Sequence, residues 1–308
     1  MLPVTTMKFL TIDSPAKVNL FLKVVGRRSD GYHLLHTLFH RISIRDTITL
    51  RKMPSGIKIK TNSPSLPTDS RNLIFKAFQL LQKEVKIPGG VFVKLTKRIP
   101  IGGGLGGGSS NAAHFLLGMK KLYHLRISKA KLKRVGSKLG ADVNFFLADT
   151  NQAIGKGVGD QIQPCPAKQK LWFVLIAMPK ALSTTKVYQT YRKKNASRLK
   201  KPAKLPFGSF LTNKNRVATL STSPKRLRAK GKDALLENDL QETSAQLYPA
   251  IQKALQLFEQ LGVSAHLVSG SGPSVFGVVA TQAQARLLSK KIQSKLRTYK
   301  KIFISHTL

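Results

Sequence analysis

The stretch at residues 99–113, IPIGGGLGGGSSNAA, has six glycines in the seven positions 102–108, followed by two serines and a run of small residues. Six glycines carry an entropic cost on folding that a plain connector need not bear. Residues 109–125 have helical spacing, with Ser109 or Ser110 predicted as the N-cap. A glycine-rich loop that leads into a helix is typical of anion binding, because the first N–H groups of the helix point at the ligand. The alternative is a flexible turn with an ordinary N-cap.

The glycines do not fit the common nucleotide motifs. The pattern G-x-G-x-x-G begins at Gly102, but dinucleotide binding also requires an acid about 20 residues later, and no acid occurs between Glu84 and Asp142. A P-loop requires a lysine after the glycines, where this chain has Ser109. The H-R-D and D-F-G motifs of protein kinases do not occur in the sequence. We therefore expect phosphate binding of another kind.

The composition is strongly basic. The 308 residues include 53 Lys and Arg against 13 Asp and Glu, which gives a net charge of +40. Such a charge attracts nucleic acid, anionic membranes or phosphorylated ligands, and a solvated basic surface is the alternative. The single cysteine, Cys165, excludes a disulfide framework. The sequence contains neither a signal-peptide run nor the roughly 20 apolar residues of a membrane span, so we expect a cytoplasmic protein.

Hydrophobic periodicity predicts mixed helices and strands. Strands are expected at 14–28, 91–97, 171–178 and 301–306, a hairpin around Arg45-Asp46 at 42–53, and a strand, glycine turn and strand at 263–280. Helices are expected at 72–85, 109–125, 128–140, 242–262 and 281–297, with Pro249 as a kink or a helix start. The last third therefore has the order β-α-β-β-α-β, which is typical of a split βαβ sandwich. Residues 163–170 mark a boundary between domains 1–165 and 166–308, and loops with short helices are expected at 193–232.

Two charged residues in apolar surroundings are candidates for catalysis. Asp142 is the only acid between Glu84 and Asp149, and Lys17 lies inside an apolar strand. A Lys–Asp pair beside a phosphate loop would keep the carboxylate ionised and offset charge on an attacking oxygen, as phosphoryl transfer requires. The alternative is that Asp142 caps the next turn and that Lys17 extends to the surface.

Three segments together resemble the GHMP kinases, which include galactokinase, homoserine kinase, mevalonate kinase and phosphomevalonate kinase. They are SPAKVNLFLKVVGRRSDGYHLLHTLF at 14–39, KRIPIGGGLGGGSSNAA at 97–113 and SGSGPSVFGV at 269–278. The resemblance extends over nearly the whole chain. It implies a two-domain α+β fold, with an N-terminal ATP-binding domain like ribosomal protein S5 domain 2 and a ferredoxin-like C-terminal domain.

Within this superfamily, PAKVNLFL, DGYH and LGADVNFF are similar to the members that act in the non-mevalonate isoprenoid pathway. These use ATP and Mg²⁺ to phosphorylate the 2-hydroxyl of 4-diphosphocytidyl-2-C-methyl-D-erythritol. By this resemblance Asp142 would be the base and Lys17 its partner, Asn19 would help to hold the substrate, and Tyr32 and His33 would bind the cytosine.

The resemblance also implies residues that surround the nucleotide and the substrate. The residues expected at ATP are Asn72, Lys97, Pro100, Ile101, Gly102, Gly103, Gly104, Leu105, Gly106, Gly107, Gly108, Ser109 and Ser110. Thr185 and Tyr188 would line the substrate pocket, and Ser269 to Gly272 would form the third glycine motif of the site. The magnesium ligands stay open among Ser109, Ser110, Asp142 and Asp160.

Some positions depart from the family pattern. Asn144 stands where a proline is expected, Lys156 where an acid is frequent, and Lys180 and Ala181 where a glycine is common. Two other functions also remain open. One is another small-molecule GHMP kinase, and the other is a non-catalytic RNA-binding protein on the S5-like scaffold.

Overall fold

The computed structural model describes residues 9–165, 170–200, 236–295 and 301–308. The chain divides into two compact units. Unit 1 comprises Met1–Ala16, Arg45–Ile99 and Gly107–Asp149, and unit 2 comprises Lys17–Ile44, Pro100–Gly106 and Thr150–Leu308. The two longest strands, β1 (Leu10–Arg27) and β2 (His33–Met53), contribute residues to both units.

Unit 1 is a sheet covered by helices. Strand β3 (Ile57–Thr61) pairs in parallel with β4 (Gly90–Thr96), and β4 pairs antiparallel with the Thr47–Met53 part of β2. The helices of unit 1 are α1 (Leu73–Glu84), α2 (Gly107–Leu122), α3 (Lys129–Leu139) and α4 (Val143–Leu147). Their apolar faces share one core with the sheet.

The core of unit 1 holds α2 in place. Phe115 and Met119 of α2 are fully buried against side chains of α1 and of the sheet, among them Phe78, Leu50 and Val93. Burying a large apolar side chain contributes about 1.5–3 kcal/mol, so several such residues fix the helix firmly. The first turn of α2, which contains the serines of the glycine-rich stretch, is therefore carried on a rigid element.

Unit 2 contains the remaining elements. Its strands are β5 (Gln152–Lys156), β6 (Gln161–Pro164), β7 (Trp172–Ala177), β8 (Glu237–Asn238), β9 (His266–Val268), β10 (Val275–Val279) and β11 (Lys301–His306). Its helices are α5 (Thr184–Lys194), α6 (Ala196–Lys200), α7 (Gln241–Leu247), α8 (Pro249–Gln260) and α9 (Gln282–Lys295). Strand β5 pairs antiparallel with β6 and with the Thr37–His40 part of β2, and β8 pairs in parallel with β1.

The second sheet of unit 2 confirms the split βαβ sandwich. Its strand order is β11-β7-β10-β9, and all three of its pairings are antiparallel. Helix α8 precedes the β9–β10 hairpin, and α9 connects β10 to β11. Pro249 is the first residue of α8, where its missing N–H is not needed. It therefore starts a helix and does not kink one.

Two local predictions are wrong. Strand β2 runs unbroken from His33 to Met53, so no hairpin turns at Arg45-Asp46. Asp46 is fully buried and accepts hydrogen bonds from backbone N–H groups, so its polarity does not mark a turn. Helix α2 begins at Gly107, so neither Ser109 nor Ser110 is its N-cap.

The other predicted helices and strands are found, with ends shifted by a few residues. Residues 201–232 of the predicted loop segment and 166–169 of the predicted domain boundary lie outside the described residues. No helix in the described parts of the chain is both long and apolar enough to span a membrane.

Candidate active site

The first part of the glycine-rich loop, Pro100–Gly106, contacts the third glycine motif within unit 2. Ser269 Oγ donates a hydrogen bond of 3.0 Å to the carbonyl oxygen of Gly104, and the Ser274 N–H donates one of 3.2 Å to the carbonyl oxygen of Gly103. Gly104 has a φ of +74°, and a Cβ there would lie 2.3 Å from the Ser269 carbonyl oxygen. Only glycine meets both conditions. The two glycine motifs therefore build one backbone cradle.

A buried hydroxyl faces this cradle. Ser274 is fully buried, and its Oγ has no hydrogen-bond partner among the described residues. A Cβ on Gly103 would lie 2.9 Å from that oxygen. Leaving a buried hydroxyl unsatisfied is unfavourable, so this group is a candidate donor to an anion bound along the loop.

In unit 1, the approach to α2 is fixed by Asp46. One carboxylate oxygen accepts the backbone N–H groups of Arg98, at 2.7 Å, and Ile99, at 2.9 Å. The other forms an ion pair with the Lys97 ammonium and accepts the Asn111 amide at 2.9 Å. All these groups precede the glycines or lie in the first turns of α2. The carboxylate thus joins the two ends of the glycine-rich stretch that belong to unit 1.

The same network continues to the serines. The Asn111 amide also donates to Ser14 Oγ at 2.9 Å, and Ser14 Oγ donates to Ser110 Oγ at 2.8 Å. Ser110 Oγ lies 3.3 Å from Nδ1 of His114, which is buried. The Ser110 hydroxyl is therefore held inside unit 1, whereas Ser109 is only partly buried.

The predicted adenosine residues have structural contacts of their own. Asn72 caps α1, because its side chain accepts the Ile74 N–H at 2.9 Å and donates to the Pro67 carbonyl at 2.7 Å. Lys97 is nearly buried and paired with Asp46. Asn72 thus holds the backbone at the start of α1, and Lys97 belongs to the hydrogen-bond network of Asp46. Their contact with a nucleotide stays a prediction.

Lys17 is buried and does not extend to the surface. It is 4% exposed on β1, and its ammonium donates a hydrogen bond of 2.6 Å to Asn19 Oδ1. Asn19 in turn donates to Thr37 Oγ1 at 2.7 Å. A Cβ on Gly270 would lie 3.4 Å from the ammonium and 3.2 Å from the Asn19 oxygen. The structure therefore brings Lys17, Asn19 and the third glycine motif together in unit 2.

Asp142 stands at the turn between α3 and α4. It occupies the N-cap position of α4, but its side chain makes no capping hydrogen bond to that helix. The Oγ of Ser109 lies 3.9 Å from where a Cβ on Gly140 would be, so this hydroxyl faces the turn that carries Asp142. Lys17 belongs to unit 2 and Asp142 to unit 1. Their pairing stays a prediction.

His33 forms an aromatic cluster with α5 in unit 2. Its ring stacks on Tyr188, with centroids 5.0 Å apart at 26°, and meets the edge of Tyr191 at 6.4 Å. Its Nε2 is buried and has no hydrogen-bond partner in the part of the chain that is described. Tyr32 is 65% exposed. Thr185 is also exposed, whereas the preceding Thr184 shares a 2.8 Å hydrogen bond with Ser271 of the third glycine motif.

The His33 ring is kept neutral by its surroundings. Burial, and then the positive charges of Arg27 and Arg192, lower the pKa of His33 below its ordinary value of 6.5. A neutral imidazole has one nitrogen that donates and one that accepts a hydrogen bond. The cluster can therefore bind a flat heterocycle by stacking and by hydrogen bonding at its edge.

The departures from the family pattern are accommodated locally. Asn144 donates a hydrogen bond of 2.8 Å to Ser137 Oγ, and its Oδ1 lies 2.4 Å from the Cβ position of Gly136. This side chain joins α4 to α3 where a proline would make no such bond. Lys156 lies at the end of β5, and Lys180 is exposed.

The segments that carry the family resemblance contain Ser14, Asn111 and Ser274, but no pattern singles these residues out, and Asp46 is predicted in a hairpin turn. The partners of Asp46 lie 51 to 65 residues away, so no local spacing marks them. Among the described residues, no group of three or more His, Cys, Asp or Glu is arranged to hold a metal ion. In unit 1, the Ser109 hydroxyl faces the turn that carries Asp142.

Comparison with known proteins shows which family the chain resembles. The model of the GHMP kinases N terminal domain matches residues 72–149, and that of the GHMP kinases C terminal matches residues 220–298. The 4-diphosphocytidyl-2-C-methyl-D-erythritol kinase of Moorella thermoacetica is 34% identical over 302 residues, which cover 98% of this chain and 100% of that protein.

Solved structures show the same relationship. A crystal structure of 4-(cytidine 5'-diphospho)-2C-methyl-D-erythritol kinase has a TM-score of 0.76 and 30% identity, and the match covers 97% of this chain and 99% of that one. The L. major mevalonate kinase in complex with R-mevalonate has a TM-score of 0.68 with 17% identity over 99% and 98% of the two chains. The latter likeness shows the fold alone.

These matches confirm the two-domain α+β fold and extend over nearly the full length of the relatives. The chain therefore belongs to the GHMP kinases and, within them, to the 4-diphosphocytidyl-2-C-methyl-D-erythritol kinase family.

Proposed function

We propose that the protein uses ATP to phosphorylate the 2-hydroxyl of 4-diphosphocytidyl-2-C-methyl-D-erythritol, a step of the non-mevalonate isoprenoid pathway. The near-full-length relatives that are named as kinases of this compound support the proposal. The observation that carries the choice of acceptor is His33, which is neutral, buried and stacked on Tyr188. Its Nε2, with no partner among the described residues, suits the hydrogen-bonding edge of cytosine. Asn19, Tyr32 and the α5 residue Thr185 would complete this substrate site.

The nucleotide would bind along the glycine-rich loop. The start of α2 offers backbone N–H groups and the positive end of a 16-residue helix dipole to the phosphates. In unit 2, the Ser274 hydroxyl, which has no hydrogen-bond partner among the described residues, is a further candidate donor. The close backbone packing at Gly104 supports this role because it leaves the loop little freedom.

In the proposed reaction the substrate hydroxyl oxygen forms a bond to the γ-phosphorus. The bond between that phosphorus and the β–γ bridging oxygen breaks, and ADP leaves. The Asp142 carboxylate accepts the hydroxyl proton, and the Lys17 ammonium keeps the carboxylate ionised and offsets charge on the attacking oxygen. The position of Lys17 supports this assignment, since its buried ammonium lies beside Asn19 and the third glycine motif.

We further propose Mg²⁺ as the cofactor, which would neutralise charge on the β- and γ-phosphates. Ser109 fits as a ligand because its hydroxyl oxygen lies in the first turn of α2 and faces the turn that carries Asp142. The Asp142 carboxylate itself is assigned to the proton. Mg²⁺ is commonly held by one or two protein oxygens plus phosphates, so a cluster of three acids is not needed. Ser110 fits less well, because Ser14 and His114 already engage its hydroxyl.

The domain limits 1–165 and 166–308 and a cytoplasmic location remain part of this proposal. The family matches at 72–149 and 220–298 leave the boundary between them open. The net charge of +40 would raise the encounter rate with anionic substrates such as ATP and a cytidine diphosphate.

A coupled ADP-release assay tests the proposal. The acceptors are 4-diphosphocytidyl-2-C-methyl-D-erythritol, mevalonate and homoserine, each with ATP and Mg²⁺. We expect turnover with the cytidyl acceptor alone. Turnover with mevalonate or homoserine would favour another GHMP kinase activity, and a folded protein that binds RNA but neither binds nor hydrolyses ATP would favour the non-catalytic alternative.

A further inference from the structure

We propose that Asp46 is a positioning residue for the nucleotide loop, and that the Lys97 ammonium pairs with Asp46 and does not contact the nucleotide. The inference rests on the proposed use of ATP and adds two roles to it. The two residues lie on β2 and just after β4, both in unit 1, and form an ion pair in which Asp46 is fully buried and Lys97 nearly so.

The Asp46 carboxylate has no capacity left for a ligand. Oδ1 accepts the N–H groups of Arg98 and Ile99, and Oδ2 accepts from Lys97 and Asn111. A carboxylate has about four acceptor positions, and these four donors use them. Asp46 therefore acts on the reaction only through the groups that it holds.

Those groups are the two ends of the glycine-rich stretch. The two backbone N–H bonds fix the chain immediately before Pro100. The Asn111 amide, which also donates to Ser14, fixes the first turns of α2, and Ser14 donates to Ser110. A helix N-terminus binds phosphate only where its N–H groups are correctly aimed. The hydrogen bonds of Asp46, Asn111 and Ser14 fix the orientation of these N–H groups at the start of α2.

Lys97 lies where its charge alone would be unfavourable. Its Nζ lies 3.3 Å from the Cβ position of Gly107, the first residue of α2, which is the positive end of the helix dipole. The Asp46 carboxylate offsets this charge. The pair is therefore neutral as a whole, and the attraction for phosphate comes from the helix N–H groups and not from the Lys97 ammonium.

The test compares Asp46→Asn with Glu84→Gln. Glu84 lies on α1 of the same unit and faces Arg134 and Lys138 of α3 at 3.7 and 3.9 Å, away from the glycines. ATP binding is measured by calorimetry without acceptor, and KM is measured for both substrates. In Asp46→Asn an NH2 donor replaces one carboxylate oxygen and faces either Lys97 and Asn111 or the two backbone N–H groups. We therefore expect ATP affinity to fall and the KM for ATP to rise by about tenfold or more. The KM for the acceptor changes less than about twofold.

Two further variants keep the test decisive if Asp46→Asn does not fold. Ser14→Ala removes two hydrogen bonds of the network without changing a charge, and we expect a smaller loss of ATP affinity, about threefold to tenfold. Adding Lys97→Met to Asp46→Asn removes the ammonium that would face the new amide. We expect this second substitution to restore part of the affinity for ATP. Recovery in the double variant would show that the ammonium itself is not a nucleotide ligand.

The outcomes separate this inference from the proposed function. Equal rises of both KM values in Asp46→Asn, or unchanged ATP affinity in folded Asp46→Asn and Ser14→Ala proteins, would overturn the positioning role. A further loss of ATP affinity in the double variant would show that the Lys97 ammonium contacts the nucleotide directly in the unmodified protein. Failure of the unmodified protein to bind ATP would instead overturn the proposed function and the inference with it.

Discussion

The hydroxyl of Ser269 donates a 3.0 Å hydrogen bond to the carbonyl oxygen of Gly104, and the Ser269 carbonyl oxygen lies 2.3 Å from where a Cβ on Gly104 would be. Two glycine motifs 165 residues apart in sequence thus pack backbone against backbone. Because of this contact, the glycine-rich loop can keep its shape only if residue 104 has no side chain.

Gly104→Ala should therefore damage the loop severely. Gly262 is the matched control, because its φ is also +74° but a Cβ there meets nothing within 4 Å. Gly262→Ala should cost only the backbone strain, about 1–2 kcal/mol. Gly104→Ala adds a collision with backbone oxygens and should cost about 1–3 kcal/mol more. Urea unfolding and the KM for ATP measure both effects. Equal losses in the two variants would show that the contact does not matter.

Asp142→Asn tests the assignment of the base. Loss of a positioned proton acceptor should lower kcat by about 10²–10⁴, while ATP binding, measured by calorimetry, stays within a few-fold. Asp149→Asn is the control, since that carboxylate is exposed on the same segment. Near-normal turnover of Asp142→Asn, or an equal loss in Asp149→Asn, would remove Asp142 from this role.

His33→Ala tests the choice of acceptor. Loss of the stacked, hydrogen-bonding ring should raise the KM for the cytidyl acceptor by roughly tenfold to 100-fold, and the KM for ATP should change little. The KM for ATP in the same variant is the internal control. An unchanged KM for the acceptor would mean that the site recognises another alcohol.

His40 should make the stability of unit 2 depend on pH. Burial lowers the pKa of His40 from 6.5 to about 4, and its hydrogen bond to the Arg41 carbonyl offsets part of that effect. The unfolded chain then binds more protons than the folded chain between these values. Stability therefore falls as the pH drops from 6.5 towards 4, by up to about 1.4 kcal/mol per pH unit.

The measurement for His40 is urea unfolding at several pH values. His40→Asn keeps an N–H donor near the position of Nδ1 but removes the titrating group, so its unfolding free energy should depend less steeply on pH over this range. If the slope is the same as that of the unmodified protein, His40 is not the group responsible.

Local patterns predicted most elements of the fold. The helical spacing of 72–85 and the apolar run of 171–178 depend on neighbours in sequence, and both appear as α1 and β7. The order of the last four strands predicted the second sheet. The errors arose where a polar residue serves a distant partner. Aspartate is frequent in turns, but Asp46 is buried because Lys97, Arg98 and Ile99, which follow β4, form an ion pair and two hydrogen bonds with its carboxylate.

The candidate site was predictable only in part. The glycines, Lys17 and Asp142 stand out because their types are unusual for their surroundings. The start of α2 was misplaced because a serine after glycines resembles an N-cap, while the glycines themselves form the first turn. Ser274 lies in the third glycine motif, but no pattern marked it individually, because its position depends on Gly103, which folding alone brings to it.

The central claim is transfer of the γ-phosphate from ATP to the cytidyl acceptor, and ³¹P NMR of the reaction mixture tests it most directly. The account predicts that ATP is converted to ADP while one new phosphate monoester appears and the cytidine diphosphate resonances remain. It also predicts that Asp142→Asn produces neither product at a comparable rate. Release of inorganic phosphate alone, or a new ester only when mevalonate or homoserine is supplied, would contradict it.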